Sequence, residues 1–428
     1  MRCNRLVLIG LDGVPYTLLN NLADKGIMPN TADIIKRGVF KKINSTLPEV
    51  SAVAWSSIIT GKNPGEHGIF GFTDIDRQTY RLRFPDFNDL KAPPFWARFP
   101  NLKYVIINVP STYPAMPLNG ILISGFVSPD IRKAVYPKSL LPTLKRFSYK
   151  IDVDSEKAHE NMDSFIEDLS ATLESSVGLY RHLWKVRNWD AFMFVVTATD
   201  RLMHFLWDAY EDEGHKYHKA FLDYFKKIDK MIGETKADLK KADALLIFSD
   251  HGFEKLGQDA YVNAVLEKEG LLESGLNGEI TNLTNRTRAF ALDPGRIYIH
   301  KKGRYVNGSV PADEEKALLA EIEGLFGSLA SDGRRVIQKI YRKESLYSGK
   351  YLDSASDLVL LPRSGFNLKA KLTAGGLSSN DIFTGRHSYE GAFFLAGNDE
   401  GQLPNDSSVI DIGLVIEKVL KRRCSISK

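Results

Sequence analysis

At 428 residues, 43% apolar and 26% charged, the chain has the composition of a soluble globular protein, with room for one large α/β domain carrying an insertion or for two domains. A formal net charge of +4, from 57 basic and 53 acidic residues, excludes nucleic-acid binding on charge alone, because acids balance the bases along most of the chain. Two cysteines at opposite ends, Cys3 and Cys424, exclude a disulfide framework or a cysteine zinc site within the chain, and no run approaches the roughly 18 apolar residues of a membrane span.

The first apolar run, 6–11, is too short for a signal-peptide core and meets Asp12 at once, so a cytoplasmic location is expected. Its residues are apolar on both faces, the pattern of a buried parallel strand, and runs 104–108, 121–124, 191–197 and 244–249 repeat it. Between them lie helical patterns at 15–25, 31–37, 51–60, 163–185 and 220–236. This alternation predicts an α/β fold, a mostly parallel central sheet with helices on both faces. From 255 to 384 the character changes to turn-rich sequence with short strands at 296–300 and 357–361 and one helix at 312–326. A strand at 392–396 and a helix at 408–421 then close the fold, the basic end Lys421, Arg422 and Arg423 forming the positive last turn. The expected division is a main α/β core of 1–254 and 385–428 and an inserted smaller α+β subdomain of 255–384.

Polar residues gather at the carboxyl ends of the apolar runs, the edge where open α/β sheets bind ligands. Asp12 follows the first, Asp200 the fourth, and Asp250 with His251 the fifth. A single Asp after a strand is commonly a helix cap, but three, two of them with a nearby His, exceed what capping explains. Asp200 and His204 are four apart, so on a helix they share a face and can grip one ion. His387 lies in Thr-Gly-Arg-His-Ser-Tyr-Glu-Gly, just ahead of the last strand. Ser51, after Pro48 and Glu49, reads as the N-cap of a helix ending near Gly61. With metals nearby, the same position would offer a hydroxyl nucleophile at a helix N-terminus suited to phosphate.

These segments together resemble the type I phosphodiesterase/nucleotide pyrophosphatase branch of the alkaline phosphatase superfamily, and within it the predicted phosphohydrolase/phosphomutase group. The resemblance rests on Leu8-Ile9-Gly10-Leu11-Asp12-Gly13, on Ser51 through Gly61, on Lys62 through Ile69, and on Asp200, His204, Ser249-Asp250-His251-Gly252 and His387 in that order. It implies that Asp12, Ser51, Asp250 and His251 bind one divalent ion and that Asp200, His204 and His387 bind another. Zinc is usual in the family, and the thiolate-free ligand set would also accept manganese or iron. The implied reaction is in-line displacement at phosphorus by Ser51, giving a phosphoseryl intermediate that water releases. The implied substrate is a small-molecule phosphodiester or phosphoanhydride, such as a nucleotide. Phosphomonoesterase or phosphomutase chemistry on the same metals is the alternative, and the context after Ser51 lacks the Pro and Arg of the sulfatase signal.

Two departures from the family pattern bear on substrate. Ser51 stands where the nucleotide pyrophosphatases place Thr, and by counting, Phe72 stands where they place an Asn that donates to the phosphate. The non-bridging oxygens would then rely on the backbone amide of Ala52, on the metals or on another side chain. Arg201 and Arg386 adjoin metal ligands and are candidates for substrate charge or for solvated surface, while Phe70, Phe72, Trp55 and Trp207 are candidates for an apolar wall or for core.

Overall fold

A computed structural model describes residues 5–186, 188–273, 283–372, 377–379, 382–397 and 402–426; Cys3 lies outside them. The chain forms two compact units, one of Met1–Lys62, Asp86–Phe253 and Ile382–Lys428, the other of Asn63–Pro85 and Glu254–Asp381.

The first unit is built on an eight-stranded sheet. In chain order its strands are β1 (Leu6–Leu11), β2 (Val39–Asn44), β3 (Tyr104–Val109), β4 (Gly120–Ser124), β5 (Val135–Tyr136), β6 (Ala191–Val196) and β7 (Ala244–Phe248). After β8 (Gly385–Ser388), which pairs outside this sheet with a short strand opening at Gly252, the chain returns as β9 (Glu390–Ala396). The spatial order is β2-β9-β7-β1-β6-β3-β4-β5. Neighbours among β7, β1, β6, β3 and β4 are parallel, and these are the five runs that are apolar on both faces. β9 runs antiparallel to β7, β2 to β9, and β5 to β4.

Alternation of side chains explains why continuous apolar runs are needed here. Val7, Ile9 and Leu11 of β1, with Phe192, Phe194 and Val196 of β6, enter one core layer. Leu6 and Leu8, with Ala191, Met193 and Val195, enter the layer on the opposite face. The first layer is closed by helices that include 162–186 and 218–238, the second by α1 (Ser51–Thr60) and the terminal α3 (Val409–Ile426). Between them in sequence, α2 (Ala198–Glu211) leaves the carboxyl end of β6. No helix among the described residues is long and apolar enough to cross a membrane.

The second unit contains a four-stranded antiparallel sheet, a three-stranded sheet and the helix Glu315–Ser328, around its own apolar core. Residues 63–85, read from sequence with the core, cluster instead with this unit. Among the ties is Arg296, 1% exposed, whose Nη2 donates to the Thr73 carbonyl at 2.9 Å while its Nε donates to Asp293 O at 2.8 Å; Ile75 and Tyr80 also enter this unit's core. No local pattern announces a buried arginine bridging segments 223 positions apart.

One contact in the first unit is unusually demanding. Gly10 lies against the indole of Trp55 so closely that an added Cβ would overlap Cη2 of the ring. Gly10→Ala is therefore expected to destabilise the fold by about 1–3 kcal/mol through overpacking. A lowered urea midpoint at unchanged m-value, relative to wild type, checks this.

Candidate active site

β7, β1 and β6 are adjacent and parallel, so their carboxyl ends deliver three carboxylates to one place. Asp12 follows β1, Asp250 and His251 follow β7 by two and three residues, and Asp200 sits in the first turn of α2 after β6. The three carboxylates are 3%, 0% and 5% exposed. Asp200 and His204, one turn apart on α2, face the same way, with His204 Nε2 3.5 Å from Asp200 Oδ1. β8 brings His387 in, its Nε2 2.8 Å from Asp200 Oδ1 and 3.0 Å from His204 Nε2. The rings of His251 and His387 stack at 3.8 Å. Two overlapping groups have ligand atoms within 4.8 Å of one another: Asp12, Asp250 and His251, and Asp200, His251 and His387.

The structure thus brings Asp12, Ser51, Asp200, His204, Asp250, His251 and His387 together in the first unit. Ser51 is not a cap. The N-cap is Val50, in extended conformation, and Ser51 is the first helical residue of α1. Its Oγ lies 3.2 Å from Asp12 Oδ1 and 3.2 Å from His251 Nε2 rather than on a backbone amide. A buried hydroxyl takes the acceptor the fold presents to it, and here that is the Asp12 carboxyl at the end of β1. Gly61, at φ 63°, ends the helix in the left-handed conformation expected of a C-terminal glycine.

Each imidazole is oriented by its far nitrogen. Nδ1 of His204, His251 and His387 lies 3.0, 3.1 and 2.9 Å from the carbonyls of Gly385, Gly252 and Glu49. A carbonyl only accepts, so each Nδ1 carries a proton and each Nε2 turns toward the carboxylates. Imidazoles held this way by backbone acceptors are typical of metal ligands. α2 is bent at Leu206, where φ is −134°. The His204 carbonyl accepts from Thr384 N at 2.7 Å, and Trp207 N donates to Thr384 Oγ1 at 2.7 Å, so an inserted side chain causes the bend and ties α2 to the segment leading into β8.

The electrostatics fit a bound cation. Burial, with repulsion from Asp250 and Asp200, holds the Asp12 carboxyl well above the usual carboxylate range. Burial pushes Asp250 up to about 7. Its Oδ1 accepts from Gly13 N at 3.0 Å, but its buried Oδ2 accepts no hydrogen bond among the described residues. Burial opposes ionisation of Asp200 too, yet the facing His204 and His387 hold it far below the usual range. Burial lowers His204 to about 4 and carries His251 well below its ordinary value, whereas Asp200 outweighs burial and raises His387. Two Nε2 atoms 3.0 Å apart, with both Nδ1 protons committed elsewhere, require a shared proton or cation between them. Asp250 Oδ2, buried and 3.3 Å from His251 Nε2, makes the same demand.

Trp55, read from sequence only as apolar wall or core, and residues not singled out there complete the setting. Trp55 Nε1 donates to Asp12 Oδ2 at 3.3 Å, and the Thr199 hydroxyl donates to the Asp12 carbonyl at 2.7 Å. Trp55 lies one helical turn beyond Ser51, a spacing that could have suggested a shared face. The carbonyls of Glu49, Gly252 and Gly385 leave no sequence signal, since every residue carries one. Gly13, at φ 70°, has the His251 ring 3.0 Å from where a Cβ would stand.

The substrate-contact candidates are placed differently. Ala52 is the second residue of α1, buried beside Ser51. Arg201 and Arg386 are not solvated surface: their side chains are 21% and 5% exposed. Arg386 Nε donates to the His387 carbonyl at 2.7 Å, and Nη2 is 3.6 Å from Glu49 Oε1. Trp55 and Trp207 are core rather than an apolar wall, Trp207 stacking on Phe253 at 5.7 Å. Phe70 and Phe72 belong to the second unit, where Phe70 packs edge-on against Tyr347 at 5.5 Å.

A mostly parallel sheet with a cluster of carboxylates and imidazoles at its carboxyl edge defines an alkaline phosphatase-like fold. Phosphonoacetate hydrolase from Sinorhizobium meliloti shares it, with TM-score 0.65 at 16% identity for the phosphonoacetate complex, covering 97% of this chain and 95% of that one. Murine ectonucleotide pyrophosphatase/phosphodiesterase 5 superposes with TM-score 0.56 at 13% identity, again over 97% and 95% of the two chains. No curated protein sequence matches significantly. The family model of type I phosphodiesterase/nucleotide pyrophosphatase matches residues 6–390, and the chain belongs to that metal-dependent hydrolase family.

A pH dependence follows from the site. In metal-free protein burial raises the proton affinity of Asp12 and Asp250, and Asp200 raises that of His387, so a cation entering the site competes with protons there. Affinity for a divalent ion should therefore fall as pH drops from 8 to 6, by about tenfold per unit for each proton displaced. Calorimetry in buffers of different ionisation enthalpy should register proton release on binding; binding independent of pH would contradict the placement of these charges.

Proposed function

We propose that this protein hydrolyses a phosphodiester or phosphoanhydride, such as a nucleotide or a small phospho-ester, through a phosphoseryl intermediate on Ser51. Asp12, Ser51, Asp250 and His251 would hold one divalent ion, and Asp200, His204 and His387 the other, with zinc the first candidate and manganese or iron compatible with the donors. The observation that carries the reading is the position of Ser51 Oγ, 3.2 Å from a carboxylate and 3.2 Å from an imidazole at the start of a ten-residue helix. When bound, two divalent ions supply Lewis-acid neutralisation of the charge that develops on the attacking and leaving oxygens.

The chain's own residues account for the rest. Asp12 Oδ1 accepts the Ser51 hydroxyl hydrogen, which fixes the direction of the nucleophile's remaining lone pairs. The amides of Ser51 and Ala52, at the start of α1, lack an intrahelical carbonyl and lie at the positive end of the helix dipole. They suit the non-bridging oxygens of a phosphoryl group. Attack by Oγ forms the Ser51 Oγ–P bond and breaks the bond to the leaving oxygen, the hydroxyl proton passing by way of Asp12 Oδ1 to that leaving oxygen. Attack by water then breaks the Oγ–P bond, one water proton returning to Ser51 Oγ and the hydroxyl staying on phosphorus, so the two inversions give net retention.

Ser51→Ala should lose about four decades of turnover while keeping its fold and ion uptake through the remaining ligands. Full activity in that variant would exclude a covalent serine intermediate. Metal-loaded wild type should cleave bis(p-nitrophenyl) phosphate with higher kcat/KM than p-nitrophenyl phosphate, because the two amides at the start of α1 suit a singly charged diester, and a dianion lacking one further donor loses about 1–3 kcal/mol of stabilisation. A monoester preference would favour the phosphatase or phosphomutase alternative.

A further inference from the structure

Asp200 divides its two oxygens between different partners. Oδ1 faces the imidazoles, 2.8 Å from His387 Nε2 and 3.5 Å from His204 Nε2. Oδ2 accepts from Arg201 Nη1 at 3.1 Å. Arg201 is itself held: Nε and Nη2 donate to Asp152 Oδ2 at 3.2 and 2.9 Å, and the guanidinium lies 4.4 Å from the Phe126 ring centroid. Its charge also acts on Asp12. The fork geometry of a guanidinium allows one residue to span Asp152 and Asp200 together, which a lysine could not do.

We propose that Arg201 is a positioning residue that reserves Oδ2 of Asp200, so that this carboxylate offers a metal ion one oxygen instead of two. The proposal rests on the two-ion reading above. With Oδ2 taken, the set of Asp200 Oδ1, His204 Nε2 and His387 Nε2 is limited to three donors, the number at which a catalytic site keeps a position open for substrate or water. Three of the guanidinium's five N–H groups are committed to carboxylates, and the side chain is packed on an aromatic face. These ties assign it to the scaffold of the ion site rather than to capture of substrate charge. A second effect has the same origin. Arg201 partly neutralises a cluster of three buried carboxylates, so it reduces the gain that a divalent ion makes by entering.

The sign of that effect separates the proposal from its alternatives. Zinc titration of metal-stripped protein by calorimetry, comparing wild type with Arg201→Gln, should show two ions bound in both. One of the two binding steps should tighten by about tenfold or more in the variant, because the carboxylate cluster loses its counter-charge and Asp200 regains its second oxygen. Against bis(p-nitrophenyl) phosphate the loaded variant should lose kcat by roughly 10–100-fold with KM little changed. The double variant Arg201→Gln/Asp152→Asn, which leaves no carboxylate at 152 without its guanidinium, should give the same result and serves if the single variant does not fold. Zinc binding that is unchanged or weaker in the variants overturns the proposal, as does a raised KM with kcat retained, which would make Arg201 a substrate ligand. Wild type that takes up no zinc would instead overturn the two-ion reading itself, and this proposal with it.

Discussion

Three carboxylates, Asp12, Asp200 and Asp250, converge in the interior of the first unit, and their mutual repulsion is the constraint on which the rest of the site depends. In water such charges would separate. Here they are fixed to the ends of three adjacent parallel strands, and each is secured by a different donor: Trp55 Nε1 for Asp12, Arg201 for Asp200, and the Gly13 amide for Asp250. Protonation, favoured at Asp12 and Asp250 by burial and at His387 by Asp200, relieves part of the repulsion in the metal-free protein. Divalent ions would relieve it more completely, and that difference is the driving force for their uptake.

The imidazoles answer the same constraint from the other side. Each of the three spends its Nδ1 proton on a backbone carbonyl from a loop or strand end, so none can rotate its Nε2 away without losing a buried hydrogen bond. The bend in α2 at Leu206 belongs to this arrangement, since Thr384 enters the helix ladder and carries the chain directly into β8 and His387. Fold and site are therefore one construction. The apolar runs that bury both faces of the sheet also determine where its polar edge begins.

Membership in the type I phosphodiesterase/nucleotide pyrophosphatase family accounts for the order of the ligand-type residues along the chain. It does not account for Arg201, whose ties to Asp152 and Phe126 were visible only in three dimensions. Nor does it account for residues 63–85, which join the second unit through Arg296 and Thr73.

Much of the architecture was legible in the sequence because its causes are local. Runs apolar on both faces marked the five parallel strands, and a period near 3.6 marked α1, α2's neighbours and α3. An Asp at the end of an apolar run, or an Asp and a His one turn apart, likewise declares its placement through short-range geometry, so the candidate ligands were legible too. Other features depend on residues distant in sequence. Ser51 looked like a cap until Asp12, 39 positions away, proved a better partner for its hydroxyl. Arg201 and Arg386 looked like surface until burial put carboxylates beside them. The tautomer of each histidine depends on a carbonyl that any residue could have supplied. The sequence by itself determined which elements form and which chemical groups stand at their ends, because periodicity and strand polarity are properties of neighbouring residues. Only the tertiary structure decided which atom of each group faces which partner, because those pairings are made across the fold, by strand order, buried hydrogen bonds and the repulsion of charges brought together.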